Sequence, residues 1–236
     1  MLRELDADII ALQEVVSISG TQERDQARYI ASELGYNSCF GYTRDHNDGV
    51  YGNLLISRLN MRTVRNHNIS IQGREQRGVL HAEIDWMGTT LQVFNVHLGT
   101  GYIERRRQVR KLFYDDILHK PGPGGLRIVL GDFNEWTRGL TSQLLHAHFK
   151  DADASAKRRL PRTFPGLFPF LHLDHIYFDS ALKAEHVTRH RSKAAIVASD
   201  HLPLVADFQI DLRAYGDLQE TAKLSAEDQD KYRASA

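Results

Sequence analysis

Several short apolar runs of the sequence end in side chains that can bind cations or transfer protons. Runs rich in β-branched residues are typical of buried strands, so these polar side chains are expected where strands end. Hydrolysis of a phosphate ester needs a cation at the phosphate oxygens, a base for the attacking water and an acid for the leaving group. Carboxylates, an amide and imidazoles together meet those needs. The residues are Glu14, His97, Asp132, Asn134, Asp174, Asp200 and His201.

The oxygen-rich character of this set favours Mg²⁺ as the cation, with Mn²⁺ as the alternative. Zinc is disfavoured because Cys39 is the single cysteine and the histidines do not follow the spacing of zinc-binding motifs. Asp174 and His175 are neighbours on a predicted strand and therefore point to opposite faces. We expect Asp174 to face the site and His175 to be structural.

The elements that must position these side chains alternate between strands and helices. Helices are predicted over 21–34, 102–119 and 139–148, and the pattern indicates two sheets packed face to face with helices outside. We expect one domain over 1–212 and a charged tail over 213–236 that is flexible or helical. Strands are predicted over 7–13, 36–43, 51–57, 61–69, 77–86, 89–96, 126–130, 172–178, 184–190 and 203–210.

Composition limits the function classes. Lys plus Arg and Asp plus Glu both total 30, so no overall positive field attracts a long polyanion and phosphate recognition must be local. The 236 residues, 42% of them hydrophobic, can bury one large core. The single cysteine, Cys39, excludes an internal disulfide and favours a reducing compartment, the cytoplasm. The sequence shows no signal peptide or membrane-spanning run, and we expect a monomer.

The strand-end motifs occur in an order that resembles the endonuclease/exonuclease/phosphatase superfamily, with its deoxyribonuclease I-like fold. Any one tetrapeptide is weak evidence, but the ordered set over residues 5 to 210 is specific. The chain is most similar to small bacterial members of that superfamily. The motifs are Leu12-Gln13-Glu14-Val15, Asn95-Val96-His97-Leu98, Gly131-Asp132-Phe133-Asn134, Leu173-Asp174-His175-Ile176 and Ser199-Asp200-His201-Leu202-Pro203-Leu204.

The resemblance implies an α/β fold, a four-layer α/β/β/α sandwich of two packed mixed sheets with the site at one rim. It implies that Glu14 is a metal ligand and that Asp200 supports the metal. Asp132 would position or deprotonate water. Asn134 and His201 would contact the phosphate, His97 would contact the phosphate or assist proton transfer, and Asp174 would fix the tautomer of His201.

Three further residues are candidate substrate contacts, each with an ordinary structural alternative. Arg105 begins a basic helix that could equally be a solvated face, and Arg77 opens a strand where a surface position is as reasonable. Asn53 follows a glycine and could line the site or form a turn.

Family members begin with a central strand that bears an asparagine, and nothing in this sequence corresponds to it before Met1. We therefore expect that the chain is truncated, with reduced stability and weak metal affinity.

The sequence leaves three functions open. The first is a nuclease-like phosphodiesterase, and the second is an esterase for a phospholipid headgroup or a small phosphate compound. The third is a binding module with an incomplete metal site. The apolar stretch 163–171 precedes Asp174 and suits either nucleic acid or a lipid surface, so the choice between them stays open.

Overall fold

The computed structural model describes residues 1–18, 25–47, 49–118, 125–136, 139–155 and 162–217. Most of the predicted tail and the start of the predicted helix 21–34 lie outside these residues. Residues 212–217 of the tail are helical. Among the described residues, no helix has the length and apolar character needed to cross a membrane.

The elements follow the predicted alternation. The helices are α1 (Leu2–Leu5), α2 (Gln26–Leu34), α3 (Tyr102–Tyr114), α4 (Leu140–His148), α5 (Ala152–Ser155) and α6 (Lys193–Ala198). The strands are β1 (Ile9–Ser17), β2 (Asn37–His46), β3 (Gly49–Ser57), β4 (Met61–Asn68), β5 (Gly78–Trp86), β6 (Thr89–His97), β7 (Leu126–Asp132), β8 (Lys150–Asp151), β9 (Asp174–Phe178), β10 (Leu182–Arg189) and β11 (Leu204–Ile210).

Local sequence explains where several elements end. The Asp25 carboxylate accepts a hydrogen bond from the Arg28 amide at the start of α2, and Gly35 ends that helix with φ 69°. Met87 and Gly88 both have positive φ, as a tight two-residue hairpin between β5 and β6 requires. Helix α3 ends earlier than predicted, at Tyr114, and Asp116 then adopts φ 53°.

The strands form three hydrogen-bonded sets. The largest is a six-stranded sheet in the order β4-β5-β6-β7-β9-β8, and it is mixed because β6 and β7 are parallel. A three-stranded antiparallel set has the order β1-β3-β2, and β10 and β11 form an antiparallel pair.

Side-chain alternation along the strands builds the layers. In β3, Leu54 and Ile56 pack in a cluster with Ala27 of α2, whereas Leu55 lies in the core between the sheets. In β6, Val93 lies in that same core, whereas Phe94 packs with residues of α3 and α4. Because successive side chains of a strand point to opposite faces, the six-stranded and the three-stranded sheets each have helices on one face and the shared core on the other. The predicted four-layer α/β/β/α sandwich is confirmed.

A buried amide connects the two sheets beneath the rim that carries the predicted site. Asn95 of β6 is fully buried, and its Nδ2 donates to the carbonyls of Leu12 (2.9 Å) and Leu54 (3.1 Å). Its Oδ1 accepts a hydrogen bond from Gln13 Nε2 at 2.7 Å. Asn53 adds a second link, since its Nδ2 donates to the carbonyls of Gly78 and Asn95. Buried polar groups with such partners fix the relative position of packed layers.

Gly131 is required where β7 approaches this connection. Its φ of 135° is strained for other residues, and an added Cβ would lie 2.1 Å from the Val96 carbonyl oxygen and 3.1 Å from Gln13 Nε2. The neighbouring β6 backbone therefore leaves no room for a side chain directly before Asp132.

Gly131→Ala should lower the free energy of unfolding by about 2–4 kcal/mol, because backbone strain and overlap with a carbonyl act together. Urea denaturation followed by circular dichroism measures the change. Gly216→Ala is the matched control, since a Cβ there meets nothing within 4 Å, and it should change stability by less than about 0.5 kcal/mol. Equal effects of the two substitutions would contradict the packing described for Gly131.

Candidate active site

Three predicted site residues lie side by side on neighbouring strands. His97 at the end of β6 pairs with Asp132 at the end of β7, and Asp132 pairs with Asp174 at the start of β9. Alternation places these side chains on the face between the sheets, because Val93 and Ile176 of the same strands lie in the core there. The strand register thus gathers one imidazole and two carboxylates at a single rim.

Contacts extend this row at both ends. His97 Nε2 lies 3.7 Å from Asp132 Oδ2 and 4.0 Å from Glu14 Oε1. His201 Nε2 lies 4.0 Å from the same Asp132 oxygen, and His201 Nδ1 lies 2.8 Å from Asp174 Oδ2. Four strands and the segment before β11 therefore contribute side chains that lie in one row, each close to the next. We call this set the rim cluster; its members are Glu14, His97, Asp132, His201 and Asp174.

Glu14 reaches the rim through an irregularity in β1. Its φ is 57°, and the pairing of β1 with β3 shifts register between Leu12 and Val15. Such a bulge redirects the side chain. The Glu14 side chain is 55% exposed, while Gln13 before it is held by Asn95.

Asn134 lies next to the rim cluster in a constrained turn. It also has positive φ, 50°, and its backbone amide donates to Asp132 Oδ1 at 2.7 Å. Its Nδ2 donates to the carbonyl of Leu98 at 2.9 Å. These bonds orient the Asp132 carboxylate and hold the turn that follows β7.

Burial gives two members of the cluster unusual protonation. It raises the pKa of Asp132 to about 7, and the neighbouring Asp174 carboxylate adds to this shift. Burial also lowers the pKa of His97 to about 3, and the charges of Arg77 and His201 act in the same direction. At neutral pH, His97 is therefore an uncharged imidazole and Asp132 is poised to gain or lose a proton.

His201 has the opposite character. Burial alone would lower its pKa, but the hydrogen bond and charge of Asp174, with the charge of Asp132, outweigh it and raise the pKa of His201 to about 9. The imidazole is therefore a cation at neutral pH, and its Nε2 proton points toward the Asp132 side of the rim. Thr163, the first residue of the apolar stretch 163–171, donates from Oγ1 to Asp174 Oδ2; the sequence predicts a substrate-contact role for this stretch but not this bond.

The other predicted residues lie at the periphery. Arg77 is 7% exposed, pairs with Glu75 at 2.8 Å, and its charge lowers the pKa values of His97 and Asp132. Arg105 is buried at the start of α3, where it donates to the Thr100 carbonyl.

Asn53 and Asp200 have no side-chain contact with the rim cluster among those described. Asn53 is buried and its Nδ2 serves the inter-sheet link. Asp200 is exposed, its backbone carbonyl accepts a hydrogen bond from Gly166 at 2.6 Å, and its charge helps to raise the pKa of the adjacent His201.

The rim cluster suits a hard divalent cation. Mg²⁺ is usually held by one or two protein carboxylates together with water and substrate phosphate oxygens, rather than by a closed protein cage. The exposed carboxylate of Glu14 and the carboxylate of Asp132, which both lie within 4.0 Å of His97 Nε2, match such an open site. Among the described residues, Glu14 and Asp200 belong to no set of three His, Cys, Asp or Glu ligand atoms that all converge within 4.8 Å.

The His201–Asp174 pair should give stability a distinctive pH dependence. Because the pKa of His201 is raised from 6.5 to about 9, its contribution is complete below pH 6.5 and is lost as the pH rises through 9. In Asp174→Asn, the carboxylate that raises the pKa of His201 is absent and burial still lowers it. The pKa of His201 should therefore fall below 6.5. Nuclear magnetic resonance titration of the ring measures this directly. The control Asp207→Asn, at an exposed position of β11, should leave the His201 pKa unchanged, and an unaltered pKa in Asp174→Asn would refute the pairing.

Comparison with known proteins identifies the family. The profile of the Endonuclease/Exonuclease/phosphatase family matches residues 1–201. YbhP of Escherichia coli, which is described as uncharacterized, is 29% identical over 220 residues, covering 89% of this chain and 86% of YbhP.

Solved structures share the fold at low sequence identity. A family protein from Leptotrichia buccalis has a TM-score of 0.72 at 17% identity, with 89% of this chain and 90% of that chain covered. The mannosyl-6-phosphatase Bt3783 of Bacteroides thetaiotaomicron has a TM-score of 0.70 at 17% identity, with 89% and 88% covered. The chain belongs to the endonuclease/exonuclease/phosphatase family, as the order of its strand-end motifs predicted.

Proposed function

We propose that this protein is a phosphodiesterase that depends on a divalent cation, Mg²⁺ before Mn²⁺, and acts by in-line attack of water on phosphorus. The observation that supports the proposal most directly is the rim cluster, in which a carboxylate with a pKa of about 7 lies 4.0 Å from a cationic imidazole. A base and a hydrogen-bond donor at that separation can act on the same side of one phosphate group, the base on the attacking water and the donor on an adjacent phosphate oxygen.

Each residue of the rim has a role in this proposal. Asp132 accepts the proton of the attacking water, and the amide of Asn134 keeps its carboxylate in place. His201 donates from Nε2 to a phosphate oxygen, because its Nδ1 is engaged by Asp174. The uncharged His97 contacts the phosphate without adding charge.

The cation would be held by Glu14 with support from Asp200, and when bound it neutralises the phosphate oxygens. Of the two arginines predicted as substrate contacts, Arg77 is better placed to add positive charge, because its charge lowers the pKa values of His97 and Asp132. Arg105 is a weaker candidate, since its carbonyl partners hold it against α3.

A phosphodiester is favoured over a small monoester by the apolar segment beside His201. The Phe164 ring centroid lies 4.9 Å from that of His201, and Leu167, Phe168 and Phe170 are each more than half exposed. Such side chains can stack on a base or another flat group attached to the phosphate. We accordingly place a nucleic acid before a phospholipid as substrate, for a monomeric cytoplasmic enzyme.

Two other functions remain as alternatives. A small-molecule phosphate esterase is supported by the mannosyl-6-phosphatase that shares this fold and by the balanced charge of the chain. A binding module without catalysis is less well supported, because the contacts between base, donor and orienting carboxylate are all present.

Asp132→Ala should reduce Mg²⁺-dependent hydrolysis of bis-p-nitrophenyl phosphate by at least about 100-fold, because the base is removed. Glu185→Gln, at an exposed position of β10, is the matched control and should retain full activity. The wild-type protein should also be assayed with Mg²⁺ or Mn²⁺ on plasmid DNA, phospholipid and a sugar phosphate. Absence of hydrolysis of all four substrates would favour the binding module.

The double substitution Phe168→Ser and Phe170→Ser should lower kcat/KM for a single-stranded oligonucleotide by about 10-fold or more, the loss of one or two stacked bases. Activity on bis-p-nitrophenyl phosphate should change little. The control Tyr114→Ser alters an equally exposed ring at the end of α3. If the double substitution impaired cleavage of a phospholipid and not of the oligonucleotide, the nucleic-acid proposal would fail and the lipid alternative would replace it.

A further inference from the structure

A second group of ligand-type side chains lies behind the strand that carries Asp174. His175 points to the helix-covered face of β9, where its ring contacts those of Phe133 and Tyr177. His172 precedes the strand, and its ring centroid lies 4.1 Å from that of His175. Asp153 of α5 completes the group and is 3% exposed. These three residues have no part in the rim cluster, which faces the opposite side of the sheet.

Their ligand atoms converge on one point. Asp153 Oδ2 lies 2.9 Å from His172 Nε2 and 3.7 Å from His175 Nδ1, and the three atoms all fall within 4.8 Å of one another. In a tetrahedral site with bonds of about 2.0–2.2 Å, ligand atoms are separated by about 3.3–3.6 Å. The two separations from Asp153 Oδ2 bracket that range and the two ring nitrogens lie within 4.8 Å of each other, so small side-chain adjustments would bring all three atoms to bonding distance of one ion.

The polar atoms of this group lack well-aligned hydrogen bonds, although His172 and Asp153 form an ion pair at 2.9 Å. Both carboxylate oxygens of Asp153, Nε2 of His172 and Nδ1 of His175 are buried and make no hydrogen bond of acceptable geometry. The short approach of His172 to Asp153 is misaligned for one. A buried carboxylate without a hydrogen bond is costly, and four such atoms in one place indicate that something else satisfies them.

The surrounding residues are arranged as they are around metal ligands. The backbone of Glu135 interacts with the His175 ring and acts to raise its pKa, against the larger lowering by burial. A metal-bound imidazole usually donates its other nitrogen to a carbonyl or carboxylate in this way. Nearby Asp151 is engaged already, since its oxygens bond the Asp153 amide and His146.

We propose that Asp153, His172 and His175 bind one Zn²⁺ ion at a site separate from the rim cluster, with water as the fourth ligand. Two imidazoles and one carboxylate suit zinc and its neighbours among the transition metals, whereas Mg²⁺ prefers oxygen ligands alone. The ion joins α5 to the segment that leads into β9. Because Asp174 begins that strand on its opposite face, the zinc would fix the backbone that positions the rim.

Zinc content of the full chain tests the site without reference to activity. After removal of metal with a chelator and reconstitution, wild-type protein should hold one zinc per chain by mass spectrometry, and reloading should raise Tm. Cobalt substitution should give the visible absorption of a tetrahedral ion. Substitution of a residue that hydrogen-bonds a metal ligand typically weakens metal binding by roughly 10- to 100-fold. His175→Gln and Asp153→Asn remove ligands themselves, so each should weaken zinc binding by more than this.

Two controls locate the ion. His186→Gln alters an exposed histidine of β10 and should retain the zinc, as should Glu14→Gln in the rim cluster. The proposal is overturned if wild-type protein takes up neither zinc nor cobalt stoichiometrically, or if Glu14→Gln rather than His175→Gln releases the ion. Because the wild-type measurement stands alone, misfolding of a variant would not obscure the answer.

Discussion

Two carboxylates held directly opposite each other on neighbouring strands dominate the chemistry of this protein. The register of β7 and β9 pairs Asp132 with Asp174, and both lie at the rim of the core between the sheets, where repulsion and burial disfavour two negative charges. His201 reduces the repulsion between the two carboxylates, because its ring bonds Asp174 and lies close to Asp132. Burial together with this repulsion raises the pKa of Asp132 to about 7, and the hydrogen bond and charge of Asp174 raise the pKa of His201 to about 9. The base and the donor of the proposed mechanism thus arise from one constraint.

The sandwich makes this constraint rigid. Asn95 ties β6 to β1 and β3 from within the core, so the sheet that bears Glu14 cannot shift against the sheet that bears His97 and Asp132. Gly131 allows the β6 backbone and Gln13 to approach closely just before Asp132. A site divided between two sheets therefore behaves as one unit.

Much of this could be predicted from the sequence, because strand periodicity is a local property. Apolar runs that end in polar residues located the ends of β6 and β7 at His97 and Asp132, whereas Asp174 begins β9 rather than ending a strand. Period-two alternation separated Asp174 from His175 correctly, as the core contacts of β9 confirm. The ordered motifs identified the family, which supplied the four-layer arrangement.

Features that depend on distant contacts could not be predicted. The bulge that exposes Glu14 arises from pairing with β3, and the link made by Asn95 requires the second sheet to be in place. Thr163 and Asp153 lie in stretches without periodicity, so the local sequence does not predict their contacts. Thr163 hydrogen-bonds Asp174, and Asp153 lies beside His172 and His175. Histidine spacing alone gave no sign of the latter group.

Paramagnetic relaxation by Mn²⁺ tests the central claim, that a divalent cation binds at the rim cluster. In protein whose Asp153 group has first been loaded with zinc, substoichiometric Mn²⁺ should broaden the ring resonances of His97 and His201 and leave that of exposed His186 sharp. Glu14→Gln should abolish the broadening. Equal broadening of all three rings, or none at His97 and His201, would contradict a cation site at this rim.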